Sequence, residues 1–293
     1  MTDITIIGFG EAGGILAQDL ASDHHVTVWD SKLLTDLNHA MHSKAQQIGV
    51  RAATSLADAL NGAALIFSVV TAANALTLAQ QAAPLLKPQQ TFFDLNSVAP
   101  NTKRAAAEII ESYGAHYIDV AVMAPVPPKR LATPLLLGGP DAERCTALLN
   151  GLGLNARFRS TEVGEASAIK MCRSIMIKGL EALTTECLSA ARQYGVEQAV
   201  LDSLHASFPS LGWDDAFPHY LISRVAEHGK RRAEEMQEVV KTLHDVNVPA
   251  AMSQATVATQ QGLVDALAQR ELQYAELTPF VWQQMLDKIY AKA

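Results

Sequence analysis

The chain has 293 residues and a formal net charge of −7, from 23 Lys or Arg and 30 Asp or Glu. Because basic residues are not in surplus, we expect no nucleic-acid partner. Its three cysteines, Cys145, Cys172 and Cys187, form no CxxC pair, which is typical of a reducing compartment rather than of a disulfide framework. The start of the chain has Asp3 where an export signal would carry Lys or Arg, so we expect a cytoplasmic protein.

One uncharged stretch, residues 59–86, is long enough to cross a membrane. Polar side chains such as Ser68 and Asn74 recur through it, and Pro84 stands near its end. We therefore expect a buried strand, a loop at 71–74 and a helix, and no membrane contact.

Short β-rich runs alternate with helical runs over the first half of the chain. The predicted strands lie at 4–7, 26–29, 65–70, 91–94, 116–119 and 134–138. The predicted helices lie at 12–22, 33–48, 73–83, 100–112 and 141–150. Several strands are almost wholly apolar, as in a parallel sheet covered on both faces. This alternation predicts an α/β fold, a doubly wound parallel sheet of the Rossmann type, over residues 1–161.

The second half, residues 162–293, shows only helical patterns. A run from 163 to 192 predicts a helix of about 30 residues, or about 45 Å. Further helices are predicted at 197–206, 214–246, 249–270 and 278–291. We expect an all-helical domain joined to the first by the long helix, with any linker at the turn 157–161.

A glycine-rich motif, Gly8-Phe9-Gly10-Glu11-Ala12-Gly13, follows the first predicted strand and opens the first predicted helix. Gly8 permits a tight turn, Gly10 lets the backbone approach a pyrophosphate, and Gly13 lets the helix pack on the strand. Amides at the helix N-terminus, from Glu11 and Ala12 onward, add donors and partial positive charge. The motif predicts a dinucleotide site.

Asp30 ends the second predicted strand, 22 residues after Gly8. A carboxylate there accepts hydrogen bonds from the adenosine ribose hydroxyls and repels a 2′-phosphate. Lys32 lies nearby, but no arginine directly follows Asp30. The sequence therefore favours NAD over NADP as the cofactor.

Two further segments carry polar groups that a reaction would need. Residues 94–102, Asp-Leu-Asn-Ser-Val-Ala-Pro-Asn-Thr, follow an apolar strand, at the edge where α/β sheets bind ligands. Residues 164–174 open the long helix and place Lys170 and Ser174 four residues apart on one face, with Arg173 adjacent.

At these motifs the chain resembles the β-hydroxyacid dehydrogenases, the superfamily of 3-hydroxyisobutyrate and 6-phosphogluconate dehydrogenases, over essentially its whole length. In that family a GxGxxG Rossmann domain precedes a strand-end segment like 94–97, a D-x-P-V-S-G-G-like loop, a G-x-G-x-x-x-K-x-x-x-N helix and an all-helical domain. The run 228–236 is similar to a subgroup with a different second domain.

The resemblance implies roles for individual residues. Lys170 matches the catalytic lysine, Ser174 takes the place of its partner asparagine, and Ser97 matches a residue on the substrate side. The residues implied to contact the cofactor are Val70, Thr71 and Asn96. Related chains interlock through the helical domain, which implies a homodimer or homotetramer, and the low charge of residues 162–293 agrees with buried subunit contacts.

The chain departs from the family in the loop whose amides would bind the substrate carboxylate. Where the family has Ser-Gly-Gly, Met123 is followed by Ala-Pro-Val-Pro-Pro, and the three prolines have no N–H. We keep Met123 as a substrate contact and assign the carboxylate to Arg173, Arg231 or Arg232. Ile177 stands where the 6-phosphogluconate enzymes have a glutamate acid, which predicts oxidation without decarboxylation.

The predicted function is NAD-dependent oxidation of a small β-hydroxy acid or β-hydroxy amino acid, a small-molecule substrate. Lys170 is the general base, and Ser174 holds the hydroxyl or orients the amine. A lysine with a pKa of about 10.4 is a poor base near pH 7, so the mechanism needs burial and neighbouring positive charge to lower that pKa.

Two other functions stay open. One is an imine reductase on the same scaffold, which commonly has another residue in place of Lys170. The other is a non-catalytic dinucleotide sensor, which has no need for Lys170 or for Asn96-Ser97. The pairs His24-His25 and His39-x-x-His42 lack matching carboxylates or cysteines, so no metal site is predicted.

Overall fold

The computed structural model of the chain describes residues 1–33 and 40–291. It divides into two compact units, Met1–Met171 and Cys172–Ala293. The sequence predicts the boundary after residue 161, and the first unit continues to Met171. Residues 34–39, which belong to the predicted helix 33–48 and include His39, lie outside the described residues.

Within residues 1–33 and 40–171, eight strands form a single sheet. They are β1 Asp3–Ile7, β2 His25–Trp29, β3 Arg51–Ala52, β4 Leu65–Ser68, β5 Thr91–Asp94, β6 His116–Val122, β7 Pro134–Gly138 and β8 Asn155–Ser160. The order is β3-β2-β1-β4-β5-β6-β7-β8, and only β6 and β7 pair antiparallel. The strand order reverses at β1 and β4, so the predicted doubly wound sheet is confirmed, with its switch point at the end of these two strands.

Helices cover both faces of this sheet. They are α1 Glu11–Leu20, α2 Ala40–Ile48, α3 Leu56–Leu60, α4 Ala75–Ala82, α5 Pro100–Ser112, α6 Val126–Lys129 and α7 Ala142–Gly151. Alternate strand residues enter two separate cores, with Ile4 and Ile6 in one and Ile7 and Ile66 in the other. Burial on both faces explains why these strands are almost wholly apolar.

The interpretation of residues 157–161 as a linker is wrong, because β8 occupies most of that stretch. β8 lies at the sheet edge beside β7, and Ala156 is its only fully buried residue. A strand that buries one side chain has no alternating apolar pattern, so the sequence carries no strand signal there. The two-residue strand β3 and the short helices α3 and α6 escape prediction for a similar reason, since they span too few residues to show a period.

Every regular element among the described residues of the second unit is a helix. The long helix α8, Glu165–Tyr194, enters it from the first unit and is followed by α9 Glu197–Ser207, α10 Phe217–Asp245, α11 Ala251–Gln269 and α12 Trp282–Tyr290. Leu188, Trp213, Ile222 and Met285 lie in its core. The predicted all-helical character of this half is confirmed.

Close contact between α10 and α11 depends on Gly229. A Cβ at this position would lie 2.4 Å from the Gln260 carbonyl oxygen and 2.7 Å from Cγ2 of Val264. The absent side chain is what lets the two helices approach at this point.

No helix in the described part of the chain combines the length and the apolarity that crossing a membrane requires.

Candidate functional site

The glycine-rich turn between β1 and α1 has the shape that a dinucleotide needs. Gly8 has a φ of +95°, and a Cβ there would lie 2.3 Å from the Val69 carbonyl oxygen. A Cβ on Gly13 would lie 1.9 Å from the Gly8 oxygen, so the fold itself requires both glycines. A Cβ on Gly10, in contrast, would meet no atom within 4 Å among the described residues beyond its chain neighbours. Gly10 therefore leaves open space beside the N-terminus of α1.

Amides at the start of α1 complete this part of the site. The helix begins at Glu11, and the first amides of a helix have no carbonyl partner within the helix. Glu11 and Ala12 therefore supply N–H groups at the positive end of α1, which is a favourable place for a pyrophosphate. The residues present fit a dinucleotide at this turn.

Asp30 lies directly after β2 and is fixed by two backbone amides. Its Oδ2 accepts a hydrogen bond from Phe9 N at 2.9 Å, and its Oδ1 accepts one from Lys32 N at 3.0 Å. Phe9 belongs to the glycine-rich turn, so the carboxylate and the turn are held together. Each carboxylate oxygen keeps a second lone pair that can accept from a ribose hydroxyl.

Lys44 on α2 also contacts the glycine-rich turn, and the sequence does not predict it. Its ammonium donates to the Gly10 carbonyl at 2.9 Å and lies 4.5 Å from the centre of the Phe9 ring. Burial lowers the pKa of Lys44, against the opposing charge of Glu11. A Cβ on Gly14 would lie 1.9 Å from this ammonium, so the extra glycine after the motif is the one sequence signal for the contact.

The ends of β4 and β5 are joined through Asn96. Its Oδ1 accepts from Val70 N at 2.7 Å, and its Nδ2 donates to Ser68 Oγ at 2.8 Å. Val70 and Asn96 are thus brought together as expected for neighbours at one sheet edge. Thr71 is exposed in the same loop, and its Oγ1 accepts from Asn74 Nδ2 at 2.9 Å.

The Lys170 ammonium donates to Ser97 Oγ at 2.5 Å. Ser97 follows β5 and Lys170 lies on α8, 73 residues later in the chain, and both side chains are half-buried. The structure therefore brings together the two polar segments that the sequence singles out. An amine and a hydroxyl in contact can pass a proton to or from a third group that bonds to either.

A buried ion cluster lies near this pair, and its cation is not among the predicted site residues. Lys103 on α5 is fully buried and contacts Asp94 at the end of β5 and Asp119 in β6. The helical period places Lys103 on the same face as the buried Ala106, Ala107 and Ile110. A lysine on the apolar face of a helix is the signal that would have found it.

The loop after β6 departs from the family's carboxylate-binding pattern in structure as well as in sequence. Met123 N donates to the Pro134 carbonyl at 2.9 Å, so this amide already has a partner in the sheet. The prolines at 125, 127 and 128 have no N–H to offer. The backbone from Met123 to Pro128 is therefore poor in donors for an anion.

The predicted site residues on the second unit have different surroundings. Arg173 is exposed, and Ser174 is buried with its Oγ accepting from the Lys178 ammonium at 3.2 Å. Arg231 is exposed, 3.7 Å from Glu235. Of the three arginines, only Arg232 is buried.

Arg232 pairs with Glu181 of α8 at 2.7 Å. Burial lowers the pKa of Arg232 and raises that of Glu181, and each charge opposes the shift of the other. Gln260 of α11 donates to the same Glu181 carboxylate at 3.2 Å. The guanidinium of Arg232 is thus directed to a carboxylate of its own unit.

His228 lies on α10 among arginines. Burial, together with the charges of Arg224, Arg231 and Arg232, lowers its pKa to about 4, so it is neutral at pH 7. Among the residues that the structure describes, no three His, Cys, Asp or Glu side chains lie close enough together to hold a metal ion.

Two protein families match the chain. The NAD binding domain of 6-phosphogluconate dehydrogenase matches residues 3–156, and a domain of unknown function, DUF1932, matches residues 191–263. The first match covers more than half of the chain and contains the glycine-rich turn, Asp30 and Asn96. Its family binds a nicotinamide dinucleotide, in agreement with the fit of these residues.

Individual proteins agree with the family match. A 3-hydroxyisobutyrate dehydrogenase from Pseudomonas aeruginosa is 28% identical over 73% of this chain and 72% of its own. A conserved hypothetical protein from Sinorhizobium meliloti is 34% identical, with a TM-score of 0.75 over 99% of this chain and 96% of its own.

Two further structures share the fold at lower identity. Mycobacterium tuberculosis 3-hydroxyisobutyrate dehydrogenase with L-serine is 15% identical, with a TM-score of 0.71 over 99% of this chain and all of its own. An imine reductase from Aspergillus terreus is 17% identical, with a TM-score of 0.58 over 92% and 94%. The chain therefore belongs to the β-hydroxyacid dehydrogenase superfamily, and it combines that superfamily's NAD-binding domain with a divergent helical C-terminal domain.

Proposed function

We propose that the protein is an NAD-dependent dehydrogenase that oxidises a small β-hydroxy acid or β-hydroxy amino acid, with Lys170 as the general base. The observation that carries the proposal is the 2.5 Å contact between Lys170 Nζ and Ser97 Oγ, at the edge of the sheet where the dinucleotide turn also lies. A dinucleotide sensor has no need for an amine at that edge. Oxidation of an alcohol needs a base that takes the hydroxyl proton as the carbonyl forms, and an amine can be that base.

In the proposed mechanism, Lys170 acts on the substrate hydroxyl. Its amine takes the proton from the O–H bond, the C–O bond gains double-bond character, and the carbinol carbon loses a hydride. A bound nicotinamide dinucleotide supplies the hydride acceptor. Ser97 holds the amine by hydrogen bonding and contacts the substrate, and Ser174 orients the hydroxyl or the amine.

The product keeps its carboxylate in this proposal. Decarboxylation leaves an enolate that needs a proton donor, which the 6-phosphogluconate enzymes provide with a glutamate. Ile177 stands at that position and cannot donate a proton. We therefore expect the β-keto acid, rather than a decarboxylated ketone, as the enzymatic product.

The substrate carboxylate needs a charged partner, since the loop from Met123 to Pro128 offers few amides. We propose Arg173 and Arg231, whose side chains are exposed, as the first candidates. Arg232 is the third candidate, and its pairing with Glu181 ranks it below the other two. Met123, which is half-buried, would contact the apolar part of the substrate.

The test is NAD reduction with a panel of 3-hydroxy acids, 3-hydroxy amino acids and, in the reverse direction, cyclic imines. Lys170→Ala should lower kcat/KM by about 10²- to 10⁴-fold, the usual contribution of a general base. Lys87→Ala, which removes an exposed lysine of the same unit, is the matched control and should leave turnover unchanged.

Three outcomes would contradict the proposal. Unchanged turnover in Lys170→Ala would exclude this lysine as the base. Reduction of imines with no oxidation of any hydroxy acid would favour an imine reductase. Dinucleotide binding without turnover of any substrate would favour a sensor.

A second proposal is that NAD, rather than NADP, is the cofactor. It rests on Asp30, whose carboxylate is held in place by two amides. Asp30→Asn keeps an acceptor for one of the two amides and removes the charge, so it should weaken NAD binding about 10-fold and reduce the ratio of the NADP and NAD dissociation constants. Titration of both dinucleotides by fluorescence measures this, and a wild-type preference for NADP would contradict the proposal.

We also propose that a homodimer or homotetramer forms through the helical half. α8 presents a largely exposed stripe of mostly apolar side chains at alternating spacings of three and four. Its members are Met176, Leu180, Leu183, Cys187, Ala190 and Tyr194, all exposed except Leu180, which is half-buried against the core of the same unit. Such spacing is typical of helices that pack against another helix.

Light scattering tests the assembly. The wild type should have at least twice the monomer mass at micromolar concentration, and Leu183→Glu should shift the mass toward the monomer. Val246→Glu, which places the same charge at an exposed apolar position outside α8, is the control. A monomeric wild type would contradict the proposal.

The free thiols of Cys145, Cys172 and Cys187 support the further proposal of a reducing, cytoplasmic location.

A further inference from the structure

Three charged side chains are buried together at the end of the sheet in the first unit. Asp94, Lys103 and Asp119 are at most 1% exposed. The Lys103 ammonium lies 3.1 Å from Asp94 Oδ1, 2.5 Å from the Asp94 carbonyl oxygen and 3.4 Å from Asp119 Oδ1. A single cation thus bridges β5 and β6.

Asp94 also accepts hydrogen bonds that fix the segment before Ser97. Its Oδ1 accepts from Asn96 N at 2.9 Å, and its Oδ2 accepts from the Tyr117 hydroxyl at 2.7 Å. Burial and the nearby Asp94 raise the pKa of Tyr117, so its hydroxyl remains a donor. The backbone at 94–96 is therefore held from three sides, directly before Ser97.

Asp119 binds the start of α8, the helix that carries Lys170. Its Oδ2 accepts from Gly164 N and from Ser167 N, each at 3.1 Å. These amides belong to the first turn of α8 and the residue before it, where a carboxylate is favourable. Lys170 follows Ser167 by three residues, so one turn of helix separates the amide that Asp119 binds from the amine.

The charges of the cluster leave Asp119 dependent on Lys103. Two carboxylates and one ammonium sum to −1, and the positive end of α8 offsets part of that charge. Asp119 Oδ1 is buried and accepts no hydrogen bond from the described residues, and the Lys103 ammonium is the cation that faces it. Without this cation, the two carboxylates would share a dry site with no counter-charge, which is strongly unfavourable.

We propose that Lys103 is a positioning residue that fixes Ser97 and Lys170 relative to each other. This inference rests on the proposed function. Lys103 acts through the carboxylate beside each residue: Asp94 is three residues before Ser97, and Asp119 holds the turn before Lys170. Reacting groups displaced by about 1 Å can lose about 10²-fold in rate, so a cluster that sets their separation controls kcat.

The kinetic test compares Lys103→Met with Lys87→Met, which makes the same substitution at an exposed lysine of the same unit. Lys103→Met should lower kcat by about 30-fold or more and change the dinucleotide KM by less than about threefold. The glycine-rich turn and Asp30 follow β1 and β2, whereas the cluster lies on β5, β6 and α5. A kcat within about threefold of Lys87→Met would overturn the proposal.

Hydrogen exchange gives a second measurement that does not depend on turnover. In Lys103→Met, the amides of residues 94–98 and those of residues 164–170 should both exchange at least about 10-fold faster than in the wild type. In Lys87→Met, both segments should exchange at the wild-type rate. Faster exchange in one segment alone, or in neither, would overturn the proposal, because Lys103 would then not join them.

Lys103→Met leaves two unpaired carboxylates and can unfold the first unit. Lys103→Met/Asp94→Asn removes one charge of each sign, so the buried net charge stays at −1 and the repulsion between two carboxylates is absent. Asp119 keeps its two amides and the positive end of α8, which offset its remaining charge. The double variant should fold and show the same kinetic and exchange effects as predicted for the single variant. A double variant with wild-type kcat would overturn the proposal.

Failure of the proposed function gives a different result. If the wild type turns over none of the hydroxy acids or imines, the dehydrogenase proposal fails, and hydrogen exchange still decides whether Lys103 joins the two segments.

Discussion

Both units bury charged side chains, but the two clusters are built differently. In the first unit, Lys103 binds two carboxylates whose remaining partners are mainly backbone amides, just after β5 and at the start of α8. In the second unit, Arg232 and Glu181 pair side chain to side chain between α10 and α8, and Gln260 adds a third helix.

This difference separates two uses of buried charge. A carboxylate bound by backbone amides fixes the chain segment that carries those amides, so the first cluster can set the geometry of Ser97 and Lys170. An ion pair between two side chains joins the helices that carry them. It does not bind the backbone of either helix directly. We therefore expect damage to the first cluster to act mainly on kcat, and damage to the second to act mainly on stability.

The largest effect on stability should come from breaking the second cluster at Arg232. Arg232→Met leaves the buried Glu181 without its cation, which should lower the free energy of unfolding by about 3–5 kcal/mol. Urea denaturation measures this loss. Arg231→Met, which removes an exposed guanidinium one residue away, is the control and should cost about 0.5 kcal/mol or less. Equal losses in the two variants would mean that the buried pair does not hold the helices together.

A smaller effect should follow from separating α10 and α11 without touching a charge. Gly229→Ala places a methyl group 2.4 Å from the Gln260 carbonyl oxygen, and the resulting shift should cost about 1–3 kcal/mol of unfolding free energy. Gly262→Ala on α11 meets open space and should instead stabilise by up to about 1 kcal/mol through helix propensity. Opposite signs in thermal unfolding would support the close helix contact, and a neutral Gly229→Ala would argue against it.

The smallest effect should be the pH dependence that His228 adds to the second unit. Its pKa is about 4 in the folded protein against 6.5 for an ordinary histidine, so the unfolded chain binds the proton first as pH falls. Stability contributed by the neutral ring is present above pH 6.5 and is lost as pH falls toward 4. The ring is only partly buried, so we expect this loss to be about 1 kcal/mol of unfolding free energy in the wild type. His228→Gln should not show it.

His244→Gln, at an exposed position of α10, is the control for that measurement. Unfolding curves at pH 7 and pH 4.5 should differ less in His228→Gln than in the wild type or the control. Identical pH dependence in all three proteins would exclude His228 as a titrating group of this unit.

The sequence predicts the parts of the site that depend on local rules. The turn at Gly8–Gly13 and the strand-end Asp30 follow from the chemistry of a βα turn, and six of the eight described strands follow from their apolar runs. The contact between Lys170 and Ser97 is different, because these residues are 73 positions apart. It can be predicted only when the order of the strands in the sheet is known. Family resemblance, rather than periodicity, points to that contact.

The parts that escape prediction depend on packing between distant elements. From its residue type, Lys103 would be predicted at the surface. Only its position on the apolar face of α5 indicates that it is buried. The contact of Lys44 with the Gly10 carbonyl depends on where α2 packs, which no local pattern determines. The edge strand β8 buries too little to leave a pattern at all.

The central claim is that Lys170 removes the hydroxyl proton. The most direct test is the pH dependence of kcat/KM for hydroxy-acid oxidation in the wild type and in Lys170→Ala. In the wild type we expect kcat/KM to rise with pH as Lys170 loses its proton. In Lys170→Ala we expect kcat/KM to be about 10²- to 10⁴-fold lower and this rise to be absent. The same rise with pH and the same kcat/KM in Lys170→Ala would show that Lys170 is not the base.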